Sequence, residues 1–160
     1  MIEDIVKNLE KGKYLLENID DAIYSDKSIA PYFSSIGEHL RHVLDMFTCV
    51  FKGIELNSIN LTDRDRNYNV ENYTNCGLEY FDKVINQLKK IDTSQLSKRI
   101  QVIDDLGSGC CAVNSTYEAV LMQAHSHAIH HFATVGYTMY ALKICLPIDS
   151  FGVNATTPHK

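Results

Sequence analysis

The chain has 160 residues, a hydrophobic fraction of 45% and a formal net charge of −5. That length fits a single domain over residues 1–160, and the acidic balance leaves no electrostatic footprint for a nucleic-acid partner. The opening Met-Ile-Glu-Asp carries no basic stretch ahead of an apolar run, and no segment approaches a membrane span, so the chain reads as cytoplasmic, with no membrane partner.

Four segments carry a helical period. The first spans residues 2–24, with Ile2, Ile5, Val6, Leu9, Leu16, Ile19 and Ile23 on one face. Ser25-Asp26-Lys27 and Pro31 end it. The second spans 36–53. Ser35 and Glu38 form the S-x-x-E capping box, and Leu40, Val43, Leu44, Phe47 and Phe51 form its stripe. A polar connection containing Asp63-Arg64-Asp65-Arg66 leads to a third helix over 71–91. Residues 98–114 hold two short alternating runs around Asp104-Asp105-Leu106-Gly107-Ser108-Gly109, the pattern of a β-hairpin. No lysine follows the Gly-Ser-Gly, so it is not a phosphate loop. The fourth helix starts at a second capping box, Ser115-Thr116-Tyr117-Glu118, and extends to Ile144, about 45 Å. These elements predict an all-α fold, a four-helix bundle with a short hairpin insert before the fourth helix. The five cysteines, Cys49, Cys76, Cys110, Cys111 and Cys145, match no zinc-finger spacing and read as reduced, mostly buried hydrophobes.

Six of the seven histidines fall on two of these helices: His39 and His42 on the second, His125, His127, His130 and His131 on the fourth. His127 and His131 are i and i+4 and share a face. On the wheel His131 lies within the apolar stripe of Tyr117, Leu121, Ala124, Ala128, Val135 and Leu142, and His127 lies at its edge. His125 points away. Imidazoles placed against a core are costly unless both nitrogens are satisfied, and a neutral imidazole is a good ligand for zinc, nickel, copper or iron. Two ligands from one helix and one from a facing helix make a three-histidine site with open positions, the arrangement of catalytic rather than structural metal. The third ligand is His39 or His42, with the wheel slightly favouring His39. The segment is not H-E-x-x-H, so no glutamate stands where a metalloprotease base would.

Ile36-Gly37-Glu38-His39-Leu40-Arg41-His42-Val43-Leu44-Asp45 and Ser126-His127-Ala128-Ile129-His130-His131-Phe132-Ala133 resemble the DinB-like (YfiT-like) superfamily over nearly the whole chain. The resemblance implies a four-helix bundle whose metal is held by one histidine of the second helix and an H-x-x-x-H of the fourth. By position the ligands fall on His42, His127 and His131, against the wheel's slight preference for His39. His39 and His130 then become candidates to support the ligands from behind. Asp63-Arg64-Asp65-Arg66 resembles an Arg-Asp-Arg pattern of one subgroup, which offers Arg64 and Arg66 as candidates to bind an acidic substrate group. That subgroup's early Arg-Glu-Leu in the fourth helix is replaced by Tyr117-Glu118-Ala119. The resemblance implies a divalent metal (Zn, Ni or Fe), a small-molecule substrate and a low-molecular-weight thiol such as mycothiol or bacillithiol. Its implied activities are a thiol-dependent S-transferase or isomerase, or a metal-dependent hydrolase. The alternative is a non-catalytic metal-binding stress-response protein, a homodimer joined along the end of the fourth helix at Tyr137, Met139 and Tyr140.

Overall fold

The computed structural model describes residues 1–158; His159, alone in the tail, lies outside them. Among the described residues the chain is mostly helical, with six α-helices and one small sheet. The elements are α1 (Ile2–Leu16), α2 (Asp21–Tyr24), α3 (Ile36–Ile54), β1 (Ser58–Asn60), α4 (Tyr68–Asn72), α5 (Thr74–Lys89), β2 (Arg99–Asp105), β3 (Cys110–Thr116) and α6 (Tyr117–Ala141). The long helices enclose one apolar cluster that includes Leu9, Leu16, Leu40, Leu44, Phe47, Phe81, Leu88, Leu121 and Phe132. Each fully enclosed side chain of this size contributes about 1.5–3 kcal/mol. α3 packs against α6 and α5, and α1 against α5 and α6.

Two helices expected to be continuous are broken by carboxylates. α1 ends at Leu16, and α2 restarts at Asp20, whose side chain accepts the Ile23 amide at 2.9 Å. The span expected as one helix from 71 begins instead as α4, breaks at extended Tyr73, and resumes as α5. There the Asp21 carboxylate accepts both the Thr74 amide at 2.7 Å and its hydroxyl at 2.8 Å. Asp21 therefore supplies the start of α5 from across the fold, a partner that local spacing does not reveal.

The α3 capping box forms as its sequence requires. Glu38 N donates to Ser35 Oγ at 3.1 Å, and Ser35 N donates to Glu38 Oε2 at 2.9 Å. Immediately inside this end, a Cβ on Gly37 would run into the Glu71 backbone carbonyl, so only glycine lets α4 lie this close to α3. The second expected capping box shifts by one residue. Ser115 pairs with Ile100 in the hairpin register, so the strand continues to Thr116, whose hydroxyl accepts the Ala119 amide. α6 ends at Ala141 rather than residue 144, about 37 Å long, and Lys143 turns the chain away at φ +60°.

β2 and β3 form the expected antiparallel hairpin, turned through Gly107 and Gly109 at φ +98° and +111°. The all-α expectation needs one correction. β1, which follows α3, adds in parallel to β2 with Ile59 opposite Val102, making a sheet of order β1-β2-β3. Three residues are too few for the period-2 signal by which a strand is read from sequence. The expectation of mostly buried cysteines is also corrected: Cys49 is buried, Cys76 half-buried, and Cys110, Cys111 and Cys145 are exposed, all as free thiols. At the end of α6, Met139 is in the core while Tyr137 and Tyr140 are 78% and 84% exposed. No helix among the described residues is long and apolar enough to cross a membrane.

Candidate metal centre

α3 and α6 lie side by side and bring three imidazoles together. The i, i+4 pair His127 and His131 has ring centroids 4.4 Å apart, and His42 stands 4.8 and 4.7 Å from them. One nitrogen from each ring lies within 4.8 Å of the other two, the one such cluster of metal-ligating side chains among the described residues. The rings are half-buried because their neighbours Val43, Ala124, Ala128 and Phe132 face the core. His39, favoured by the wheel, is not in the triad. It stands behind it, with Nδ1 2.9 Å from His131 Nδ1 and Nε2 2.9 Å from Ser34 Oγ. His130 is exposed, its ring 5.3 Å from that of His131.

The surroundings keep these rings neutral. Burial, the Arg64 guanidinium and His127 push His42 down to about 3. Burial and the neighbouring imidazoles push His131 down to about 3 as well. Burial and Arg64 lower His127, and burial lowers His39. Neutral imidazole is the ligating form, so this donor set suits a borderline divalent ion. The fit is close. His42 Nε2 and His127 Nε2 are 2.8 Å apart, whereas two nitrogens at about 2.0–2.1 Å from one tetrahedral ion stand about 3.3 Å apart, so the pair has to open by about half an ångström.

The same neutrality has a consequence for stability. An unfolded histidine titrates near 6.5, so between about pH 6.5 and 3 the unfolded chain binds more protons than the folded one. Stability of chelator-treated protein therefore falls as pH drops through 6.5, and the loss continues towards the lowered folded values. Discounted for the solvent that reaches these half-buried rings, the expected loss by pH 5 is about 1–2 kcal/mol. Urea unfolding at pH 7.5 and 5 measures it. A midpoint that rose on acidification would contradict the neutral cluster.

On the other flank, the loop after β1 carries the centre's cation. Arg64 Nη1 lies 3.1 Å from His42 Nδ1, while its Nε donates to the Leu61 carbonyl at 2.9 Å. The loop is fastened to α3 at three positions spaced along one helix face. The Asp45 carboxylate accepts the Arg66 amide at 3.3 Å, Cys49 Sγ donates to the Asp63 carbonyl at 3.1 Å, and Lys52 pairs with Asp65 at 2.7 Å. Arg66 itself, at φ +50°, is exposed. Asp45, fully enclosed, also accepts Arg41 Nη1 and the Tyr80 hydroxyl, both at 2.9 Å, and Arg41 continues to Glu71. In the sequence Asp45 stands out only as the last residue of the α3 motif. Its three-residue spacing from His42 was the available signal, and its partners on α5 and the loop had none.

A cleft of about 510 Å³ opens on the His131 side, between α6 and the segment before α3. Tyr32, Ser34, His39, His130, His131 and Tyr137 line it, and its wall has no Asp, Glu, Lys or Arg. A larger cleft of about 590 Å³ at the far end of α6, against Ile144 and Leu146, contains none of the triad.

The chain is similar in structure to a DinB-like protein, YjoA, from Bacillus subtilis, with a TM-score of 0.68 at 21% identity over 92% of this chain and 95% of that one. The fold is that of the DinB-like proteins. A second DinB-like protein, from Bacillus cereus ATCC 10987, matches with a TM-score of 0.64 at 18% identity, covering 88% and 89% of the two chains. No protein-family model and no curated protein matches. At these identities the likeness concerns the DinB-like fold alone. The triad is a feature of this chain's own residues: α3 and α6 of the DinB-like fold are the two helices that carry it.

Proposed function

We propose that His42, His127 and His131 hold a divalent ion, zinc, nickel or iron, in a single DinB-like four-helix-bundle domain. On this reading the centre serves a metal-dependent reaction of a small molecule. The observation that carries the reading is the meeting of three neutral imidazoles from two helices beside a cleft. A bound ion would supply Lewis acidity, holding a thiol or water as its anion at neutral pH.

The surrounding residues support that role. His39 orients His131 through Nδ1 and is itself held by Ser34, as partners behind a ligating histidine are in other metal sites. The uncharged cleft suits the neutral, apolar part of an electrophile. Arg64 stands on the opposite side, where it suits an acidic group of a substrate or of a low-molecular-weight thiol. Arg66 is exposed on the same loop, its amide held by Asp45, where its guanidinium suits an acidic group arriving from solvent. Three histidine donors leave positions open on a tetrahedral ion, which favours turnover, by thiol transfer, isomerisation or hydrolysis, over a closed metal store. In the alternative, non-catalytic reading, exposed Tyr137 and Tyr140 would supply the seam of a homodimer.

Elemental analysis and zinc titration test the centre. We expect one ion per chain for the wild type and none for His127→Ala/His131→Ala, with unchanged helical content. Equal metal content in both proteins would remove the triad from consideration.

A further inference from the structure

The contact between Arg64 and His42 is one-sided in its hydrogen bonding. A guanidinium has five N–H donors and no acceptor, so the 3.1 Å contact from Arg64 Nη1 makes His42 Nδ1 the acceptor. A neutral imidazole carries one proton, which must then sit on Nε2. That Nε2–H is donated to His127 Nε2, 2.8 Å away. This is the tautomer in which His42 Nε2 has no lone pair to give. Ligation through Nε2 needs the proton on Nδ1, where it would face the Arg64 N–H, donor against donor. Ligation through Nδ1 displaces the guanidinium outright. In neither case can the arginine and a cation share His42.

The other two imidazoles are not opposed in this way. His127 Nε2 is the acceptor of its pair and already presents a lone pair. His131 Nδ1 meets His39 Nδ1, and His39 Nε2 meets Ser34 Oγ. With His131 donating to His39 and His39 donating to the serine, every partner is satisfied and His131 Nε2 is free to ligate.

Arg64 is also a placed side chain. Its Nε is tied to the Leu61 carbonyl, and the loop around it is fastened to α3 through Asp45, Cys49 and Lys52. We propose that Arg64 is a latch on the centre: its guanidinium and a divalent cation compete for His42, so that metal loading requires Arg64 to withdraw. The latch rests on the metal reading of the triad, and its tests separate the two.

Zinc affinity is measured by chelator competition for the wild type, Arg64→Met and His42→Ala/Arg64→Met. Removing the guanidinium should tighten zinc binding about ten- to a hundredfold, the size of one hydrogen bond to a charged group. The double variant should lose that gain. The gain should also persist at about 1 M salt, where a Debye length of about 3 Å screens simple repulsion between exposed charges. Zinc bound equally or more weakly by Arg64→Met, or a gain abolished by salt, overturns the latch and leaves the metal centre standing. No zinc bound by any of the proteins overturns both. Independently of any variant's folding, long-range ¹H–¹⁵N correlation on histidine-labelled, chelator-treated wild type reads the tautomer directly. Protonated Nε2 on His42 is expected, and protonated Nδ1 overturns the latch.

Discussion

Asp45→Ala should destabilise the protein by about 3–5 kcal/mol, the usual effect of removing one partner from a buried ion pair. The carboxylate is fully enclosed and accepts from Arg41, from the Tyr80 hydroxyl and from the Arg66 amide. Without it the Arg41 guanidinium, only 13% exposed, keeps Glu71 but loses its second anion. The Tyr80 hydroxyl keeps only Thr48. The penalty is chiefly that of leaving a charge and a hydroxyl under-partnered, since water that could replace the carboxylate has little access. Asp45→Asn retains the shape and one acceptor and should cost less than half as much. Urea unfolding of the three proteins decides the matter; a loss below about 1 kcal/mol for the alanine variant would mean that the network is an ornament of the fold. The same variant frees the loop at Arg66, so the Arg64 contact with His42 should loosen with it. Zinc affinity measured beside stability therefore reports whether the buried carboxylate governs the centre through the loop.

How far these features could be read from sequence follows the range of the interactions behind them. The α3 cap was legible because Ser35 and Glu38 satisfy each other within one turn. The hairpin was legible because both strands and their glycine turn are contiguous. His127 and His131 were legible as a pair, since four residues of helix bring their rings to 4.4 Å. The wheel ranked His39 above His42, and the triad contains His42, because a wheel measures direction about one axis and carries no information on how far along α3 the partner helix crosses. What stayed hidden came from distant partners: Asp21 starting α5, β1 pairing with a strand some forty residues later, and Arg64 reaching His42 from a loop. Ser115 illustrates the competition that misplaced the α6 boundary. Its capping pattern is sound locally, but the strand pairing with Ile100 claims that residue.

Zinc in thousandfold excess over its dissociation constant should stabilise the wild type by about 4 kcal/mol. In a domain of this size that is a rise of about 8–16 °C in the thermal midpoint. The effect is large because His42 and His127 are 85 residues apart in sequence. The folded chain presents the donors together, whereas the unfolded chain must close a long loop to assemble them, so the ion binds the folded state preferentially. The neutral state of the rings adds to this, since no proton has to be expelled from His42 or His131 near pH 7. His127→Ala/His131→Ala retains every thiol, including exposed Cys110, Cys111 and Cys145. It therefore serves as the control for zinc held adventitiously by cysteine. A midpoint shift in the wild type, reversed by chelator and absent from this variant, places the ion between α3 and α6. Equal shifts in both would assign the effect to the thiols and leave the three imidazoles as a hydrogen-bonded cluster, whose acid sensitivity would then be their principal consequence for the fold.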